Sequence, residues 1–270
     1  MRLPTLLGCC VSCLVISCSG QSTTPVPPKT ASATVSAAPA SQIIPPPPNY
    51  KFPSGQKYVY TVEWHLFTAG TATVRLDSEG QHRVTATADS TGAVNALYKV
   101  HDHFDAQFDP HSFCSVSINK HTEEGPHKRE TMVKFDYGLK KSVLEEKNLK
   151  TGEQKHEQTD IPGCVTDVIT GFYYLASLPL GLGYQNSFPV NGGGKTTVAE
   201  AKVEAREQIK VPAGTYQALR VHVEAISGAL QGKGSVTVWY SDDANRTPVQ
   251  MRSKLGWGTL LFRLQRIDRN

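Results

Sequence analysis

From residue 56 onward the chain alternates apolar and polar positions with a period of two, broken at short intervals by Gly, Asp, Asn and Pro. The cleanest run is 56–67. There Tyr58, Tyr60, Val62, Trp64 and Leu66 fall on one face, and Lys57, Thr61, Glu63 and His65 on the other. The last third repeats the pattern: Val236, Val238 and Tyr240, then Val249, Met251 and Leu255, then Leu260, Phe262 and Leu264, separated by Asp242-Asp-Ala-Asn-Arg246 and Gly256-Trp-Gly258. Strict alternation punctuated by turn formers predicts half-buried strands joined by hairpins.

The middle of the chain continues the theme. Residues 71–77 and 82–90 extend a meander with the first strand, and 93–98 is expected to be one helical turn or a bulged segment. In 99–108, Val100, Phe104 and Phe108 alternate with His101, His103 and Asp105; in 113–122, Cys114, Val116 and Ile118 share a face. Segments 139–148 and 153–159 are polar and lysine-rich, as edge strands are when charge discourages pairing with other molecules. One stretch changes period. Val168, Ile169, Phe172, Leu175 and Ala176 recur at helical spacing behind Thr166 as N-cap and Asp167 in the first turn, and Pro179 stops the run. Strands at 184–190, 195–211 and 216–226 lead into the final meander. About a dozen strands and one short helix (about 167–178) predict an all-β protein, a strongly curved antiparallel sheet forming a barrel or clam-like shell.

The first 49 residues have a different composition. An apolar run at 3–16 behind Arg2 is too short to span a bilayer and suits the core of an export signal at 1–17. It ends in Val15-Ile-Ser-Cys18, which resembles the lipobox of bacterial lipoproteins and so implies cleavage before Cys18 and acylation of that residue. Leu6-Leu-Gly-Cys9 is a rival with only eight residues ahead of it. Several acyl chains, at about 0.8 kcal/mol per buried methylene, would hold the chain on a membrane; Ser19, uncharged, favours the outer membrane, facing the periplasm. Residues 18–49, rich in Pro, Ala, Ser and Thr and closing on Pro45-Pro-Pro-Pro48, read as the lipid anchor and a disordered tether. Residues 50–270 then form a single β-rich domain.

Several segments of that domain resemble the bacterial domain-of-unknown-function 3108 family (DUF3108). They are Ile209-Lys-Val-Pro-Ala-Gly-Thr-Tyr216, Val238-Trp-Tyr-Ser-Asp-Asp243 with Arg246-Thr-Pro-Val249, Phe52-Pro-Ser-Gly-Gln56, and Asp167-Val-Ile-Thr-Gly-Phe-Tyr-Tyr-Leu175. The resemblance implies an exported β-rich protein, often a lipoprotein. It transfers no catalytic or binding residue.

Charge and chemistry narrow the function further. The net charge of +4 becomes +3 once Arg2 is removed, and Lys and Arg lie scattered among acids, so nucleic acid is not an expected partner. Of six cysteines only Cys114 and Cys164 belong to the domain; in an oxidising compartment they either bridge or remain two buried thiols. His101 and His103 share a strand face at a spacing a metal could bridge, with His111 across a turn, but no further ligand has matching spacing and a solvated polar face is the plainer reading. Asp242-Asp-Ala-Asn245 lacks the Gly and Glu of a calcium loop. No Gly-x-Ser-x-Gly elbow singles out a nucleophile, and the glycines at 192–194 read as a loop. No cofactor is expected. The expectation is a non-enzymatic envelope lipoprotein that binds an apolar small molecule or an envelope component. The alternatives are an assembly partner presenting a polar sheet edge to an envelope protein and, with least support, a hydrolase or metal-dependent enzyme.

Overall fold

Fifteen strands form one sheet in the order β8-β7-β6-β5-β4-β3-β2-β1-β15-β14-β13-β12-β11-β10-β9. In chain order they are β1 (Gln56–Trp64), β2 (Phe67–Asp77), β3 (His82–Ser90), β4 (Val100–Phe108), β5 (Ser115–Glu124), β6 (His127–Asp136), β7 (Lys141–Asn148), β8 (Gln154–Asp160), β9 (Thr166–Asp167), β10 (Gln185–Asn191), β11 (Thr196–Val211), β12 (Gly214–Ala225), β13 (Gly234–Ser241), β14 (Pro248–Leu255) and β15 (Gly258–Arg269). Among the described residues two helices interrupt them, α1 (Gly92–Leu97) and α2 (Thr170–Ser177). The computed structural model describes residues 41–65, 67–78, 82–228, 231–256 and 258–269. The signal at 1–17, the anchor Cys18 and its rival Cys9, Leu66 and Trp257 lie outside them.

The first strand is the middle of the sheet because it pairs with both its successor and the last strand: Tyr60 faces Ala72 of β2 and Leu264 of β15. Alternation then sends one face of most strands inward, although β8 buries no residue and Ile118, Val133 and Leu144 of β5 to β7 form a small core of their own. Tyr58, Tyr60, Leu76, Val84, Phe108, Phe188, Val203, Val238, Tyr240 and Leu264 all join one buried core. Strands as far apart in the ladder as β4 and β10 can meet in one core only if the sheet curls around it, which the predicted shell requires.

The ladder does not close. Its two outer strands are β8 and β9, and β9 pairs only with β10, in parallel, through Val190↔Thr166 and Asn191↔Asp167. Closure comes from a latch between β9 and the start of β5. The Ser115 amide donates to the Val165 carbonyl at 2.8 Å, and Cys114 and Cys164 form a disulfide with Cα atoms 5.0 Å apart. The Tyr137 hydroxyl donates to the Ser115 carbonyl at 2.6 Å. Strands β6 to β8 run on past this seam, and the 192–194 loop lies over them. There Lys120 Nζ donates to the Gly192 carbonyl at 2.8 Å, and Ser142 and Thr159 both donate to that of Gly194. Gly194 takes φ +81°, and a Cβ on it would stand 3.0 Å from Leu144, so the close seat of the loop requires glycine.

Several expectations need correction. The helix is α2, beginning at Thr170 rather than near 167. Thr166 and Asp167 are spent on β9, and the Asp167 carboxylate instead accepts the amides of Ile169 and Thr170 at 2.9 Å each. The 93–98 segment, by contrast, takes the first of its two expected forms, as the short helix α1. Val116 is exposed although its register predicted burial. A bulge lets Phe108 face Ser115 while Gln107 faces Ser117, which leaves Val116 without a partner and turns it out. Cys114 precedes β5 rather than lying in it, behind Phe113 at φ +58°. Of the two supposed edge strands only β8 is an edge; β7 pairs on both sides. Packing also begins before Tyr50: Ile43 lies against the core, and the Ile44 amide donates to the Tyr174 hydroxyl at 3.3 Å.

Candidate functional site

Helix α2 crosses the concave face and divides the interior unequally. On one side large residues reach it from the sheet. Tyr58, Tyr60 and Tyr240 are fully buried against it, and Tyr240 donates to the Phe172 carbonyl at 2.8 Å, while Tyr60 donates to that of Pro248 at 2.8 Å. Burial pushes the hydroxyls of Tyr60, Tyr173 and Tyr240 well above the usual tyrosine range, so all three stay neutral. Only about 20 Å³ of space remains here, beside a Tyr173 hydroxyl that has no partner among the described residues. That is room for a single water. The predicted shell therefore has no enclosed ligand chamber on this side.

On the other side the sheet presents small or short side chains: Thr197, Ala199, Ala225, Ser235, Val236 and Ser253. These do not reach the helix, and an apolar cleft of about 230 Å³ is left between them and the α2 residues Phe172 and Leu175. Phe188 and Val190 of β10 form its wall toward the seam. Its volume falls below the ~300 Å³ at the low end of sites that enclose a whole small molecule, so it suits one apolar arm of a larger ligand. Asp167, Val168, Lys233 and Leu255 stand at one end of it. Its lining holds no histidine and no cysteine.

A second hollow, broader and about 540 Å³, lies over β5 to β8 and is lined by charged and polar groups that include Glu130, Glu145, Glu146, Lys155 and His156. Beside it, on the β3–β4–β5 surface, are the two histidines singled out by spacing. His101 and His103 do share an exposed face, and His101 Nδ1 lies 2.6 Å from Asp89 Oδ1. Across the ladder His103 pairs with His121, whose Nδ1 meets Glu130 Oε1 at 2.5 Å; that hydrogen bond holds the imidazolium above its ordinary pKa. His111 is not brought to them, for it sits in the turn at the other end of β4. Among the described residues no group of three or more His, Cys, Asp or Glu is placed to hold a metal ion.

The remaining candidates behave as turn and packing residues. Asp243 Oδ1 accepts the amides of Asn245 and Arg246 at 2.9 and 3.2 Å, and Asp242 pairs with Arg206 and Arg246. Trp239 is buried, donating to Glu207 at 2.7 Å beneath the Arg252 guanidinium. Sequence reasoning missed the cleft. Its signal was the run of small residues at the inward positions of 197–199, 225 and 253, opposite a helix with Phe and Leu on its facing side.

A rolled, open antiparallel sheet latched at one seam and plugged by one helix defines a β-barrel-like protein. A family model described as protein of unknown function, DUF3108, matches residues 59–265, and the chain belongs to that family. No curated protein matches it in sequence. Among solved structures it is similar to the β-barrel-like protein of domain of unknown function DUF1849 from Brucella abortus, at 9% identity and a TM-score of 0.54, covering 80% of this chain and 97% of that one. A Bacteroides fragilis protein described as exported, with a YmcC-like fold, aligns at 10% identity over 85% and 100% of the two chains, with a TM-score of 0.35. A Parabacteroides distasonis protein described as a lipoprotein aligns at 10% over 84% and 99%, with a TM-score of 0.30. Only the Brucella score is high enough to speak to the fold.

Proposed function

We propose that this protein is a non-enzymatic cell-envelope lipoprotein that binds an amphiphile by one apolar arm, an acyl chain or its equivalent, in the cleft between α2 and β10 to β14. The observation that carries the reading is the cleft itself: an apolar space of about 230 Å³ bounded by Phe172, Leu175, Phe188, Val223, Val236 and Leu255, where only about 20 Å³ is left on the other side of α2. Export is supported by the signal-like 1–17 and by a disulfide that needs an oxidising compartment. Val15-Ile-Ser-Cys18 supports acylation at Cys18 and, with Ser19, retention at the outer membrane.

The test is titration with cis-parinaric acid, a fluorescent fatty acid. Wild type should bind saturably. Val236→Trp, which places an indole into the cleft from a half-buried wall position, should weaken binding by about tenfold or more while leaving the thermal midpoint within a few degrees. Equal binding by both proteins would rule out the cleft as the site.

A second reading has its own observation. The β8 edge is unpaired and borders the polar 540 Å³ hollow, which suits an envelope protein partner of mixed charge. Cross-linking in cells from Lys155 separates the two readings, since an acyl-chain binder yields no protein adduct there.

A further inference from the structure

The antiparallel register places six turns at one end of the sheet: Trp64↔Phe67, Glu124↔His127, Lys147↔Gln154, Asn191↔Thr196, Glu224↔Ser235 and Leu255↔Gly258. Helix α1 joins them, since the Thr91 amide ahead of it bonds the Ala69 carbonyl near the start of β2. Large apolar side chains are left exposed along this rim. Phe67 is 70% exposed and Leu97 88%, and Trp64, Tyr98, Leu149 and Ile226 are also open to solvent. Folding gains nothing from holding these groups in water, and an exposed apolar band of this kind marks a surface that is covered in use.

The charges say what covers it. Lys150, Lys195, Lys233 and Lys254 are exposed on or beside the same turns and make no ion pair among the described residues. Of the acids there, Glu123 is paired with Lys99 and Lys128 and Glu63 with Arg263, which leaves Glu124, Glu153 and Glu224 against the four lysines. The turns of the opposite end carry more acids than bases, Asp77, Asp109, Asp136, Asp160, Asp242 and Asp243 against Lys140, Lys141 and Arg246, with Asp77, Asp160 and Asp242 held in ion pairs. Aromatic and aliphatic groups interleaved with free lysines are the chemistry of an anionic bilayer interface: rings sit at headgroup depth while ammonium groups meet lipid phosphates. The cleft has its end residues Val168, Lys233 and Leu255 at this same rim.

We infer that the folded domain docks by this rim on an anionic lipid surface, with Trp64, Phe67, Leu97 and Tyr98 in the headgroup layer and the cleft open toward the lipids. This contact is separate from any acyl anchor at Cys18 and does not depend on the cleft being filled.

The test uses the full chain carrying Cys18→Ser, so that no acyl group contributes, floated with vesicles of equal phosphatidylglycerol and phosphatidylcholine and with vesicles of phosphatidylcholine alone. Residues 1–40 are common to every protein compared, so their own lipid attraction cancels. Adding Trp64→Ser, Phe67→Ser and Leu97→Ser should weaken binding to the anionic vesicles by about tenfold or more. Leu139→Ser with Leu182→Ser, at the acidic end, should change it little. Added salt should weaken the binding that the rim supplies. The rim positions are exposed, so the thermal midpoint should hold, and cis-parinaric acid binding by the rim variant reports the cleft separately. The inference is overturned if the rim variant floats as the parent does, or if the acidic-end variant loses as much. It is equally overturned if the rim substitutions dissolve a dimer of the chain, which would make the rim an interface between copies.

Discussion

Ser115 and Asp167 exchange two hydrogen bonds: the serine Oγ donates to Asp167 Oδ2 at 2.8 Å, and the Asp167 amide donates back to Oγ at 2.8 Å. Both residues are buried, at 0% and 2% exposure, so neither can turn to water if its partner is removed. The pair joins the first residue of β5 to the last of β9, where the ladder itself is open. The other oxygen of Asp167 caps α2, which ties the seam to the helix that walls the cleft.

Ser115→Ala should therefore cost about 1–3 kcal/mol, since it leaves a buried carboxylate oxygen and a buried amide each short of a partner. Urea denaturation should show a lower midpoint. Ser115→Thr, which keeps the hydroxyl, should recover part of the loss.

The covalent half of the latch is the Cys114–Cys164 bridge, which closes a loop with a sequence separation of 50. On the chain-entropy account such a loop is worth about 4 kcal/mol, and measured bridges commonly give 2–4. Cys114→Ser with Cys164→Ser should lower the thermal midpoint accordingly. Limited proteolysis should then cut first in 109–114 or 161–165, the two segments the bridge holds together.

Asp102 offers a test by pH. It is buried beneath the amide of Glu123, and burial, then the neighbouring Glu124 charge, raises its carboxyl to about pH 6. The unfolded chain gives up this proton nearer pH 4, so between about pH 4 and 6 the folded protein holds a proton that the unfolded one has lost. Stability from this group is greatest below that window and is lost as pH rises through it. Asp102→Asn keeps an acceptor for the Glu123 amide without the charge. Its thermal midpoint should exceed that of wild type at about pH 8, with the difference shrinking toward pH 4.

The shell was legible in the sequence because its cause is local. Tyr58, Tyr60 and Val62 against Lys57, Thr61 and Glu63 state which face is inside, and a period of two leaves little choice of element. What escaped depends on contacts between residues far apart in the chain. The bulge that exposes Val116 is set by the pairing of β4 with β5, and the diversion of Thr166 and Asp167 into β9 is set by β10 and Ser115. The pairing of Cys114 with Cys164 was one of two alternatives until their positions fixed it. The cleft was the least legible, because it is made by what is small. Ala199 and Ser253 carry no signal until a helix is laid opposite them. The loop reading of 192–194 was right in kind, but its work in holding Lys120, Ser142 and Thr159 appears only once the sheet has curled.

The most direct test of the ligand-binding account is a crystal structure of the protein soaked with a fatty acid brominated near its methyl end. Anomalous scattering should place the bromine between Phe172, Leu175 and Val236, with the carboxylate outside near Lys233. A bromine peak elsewhere, or a cleft left without one at saturating ligand, would contradict the account.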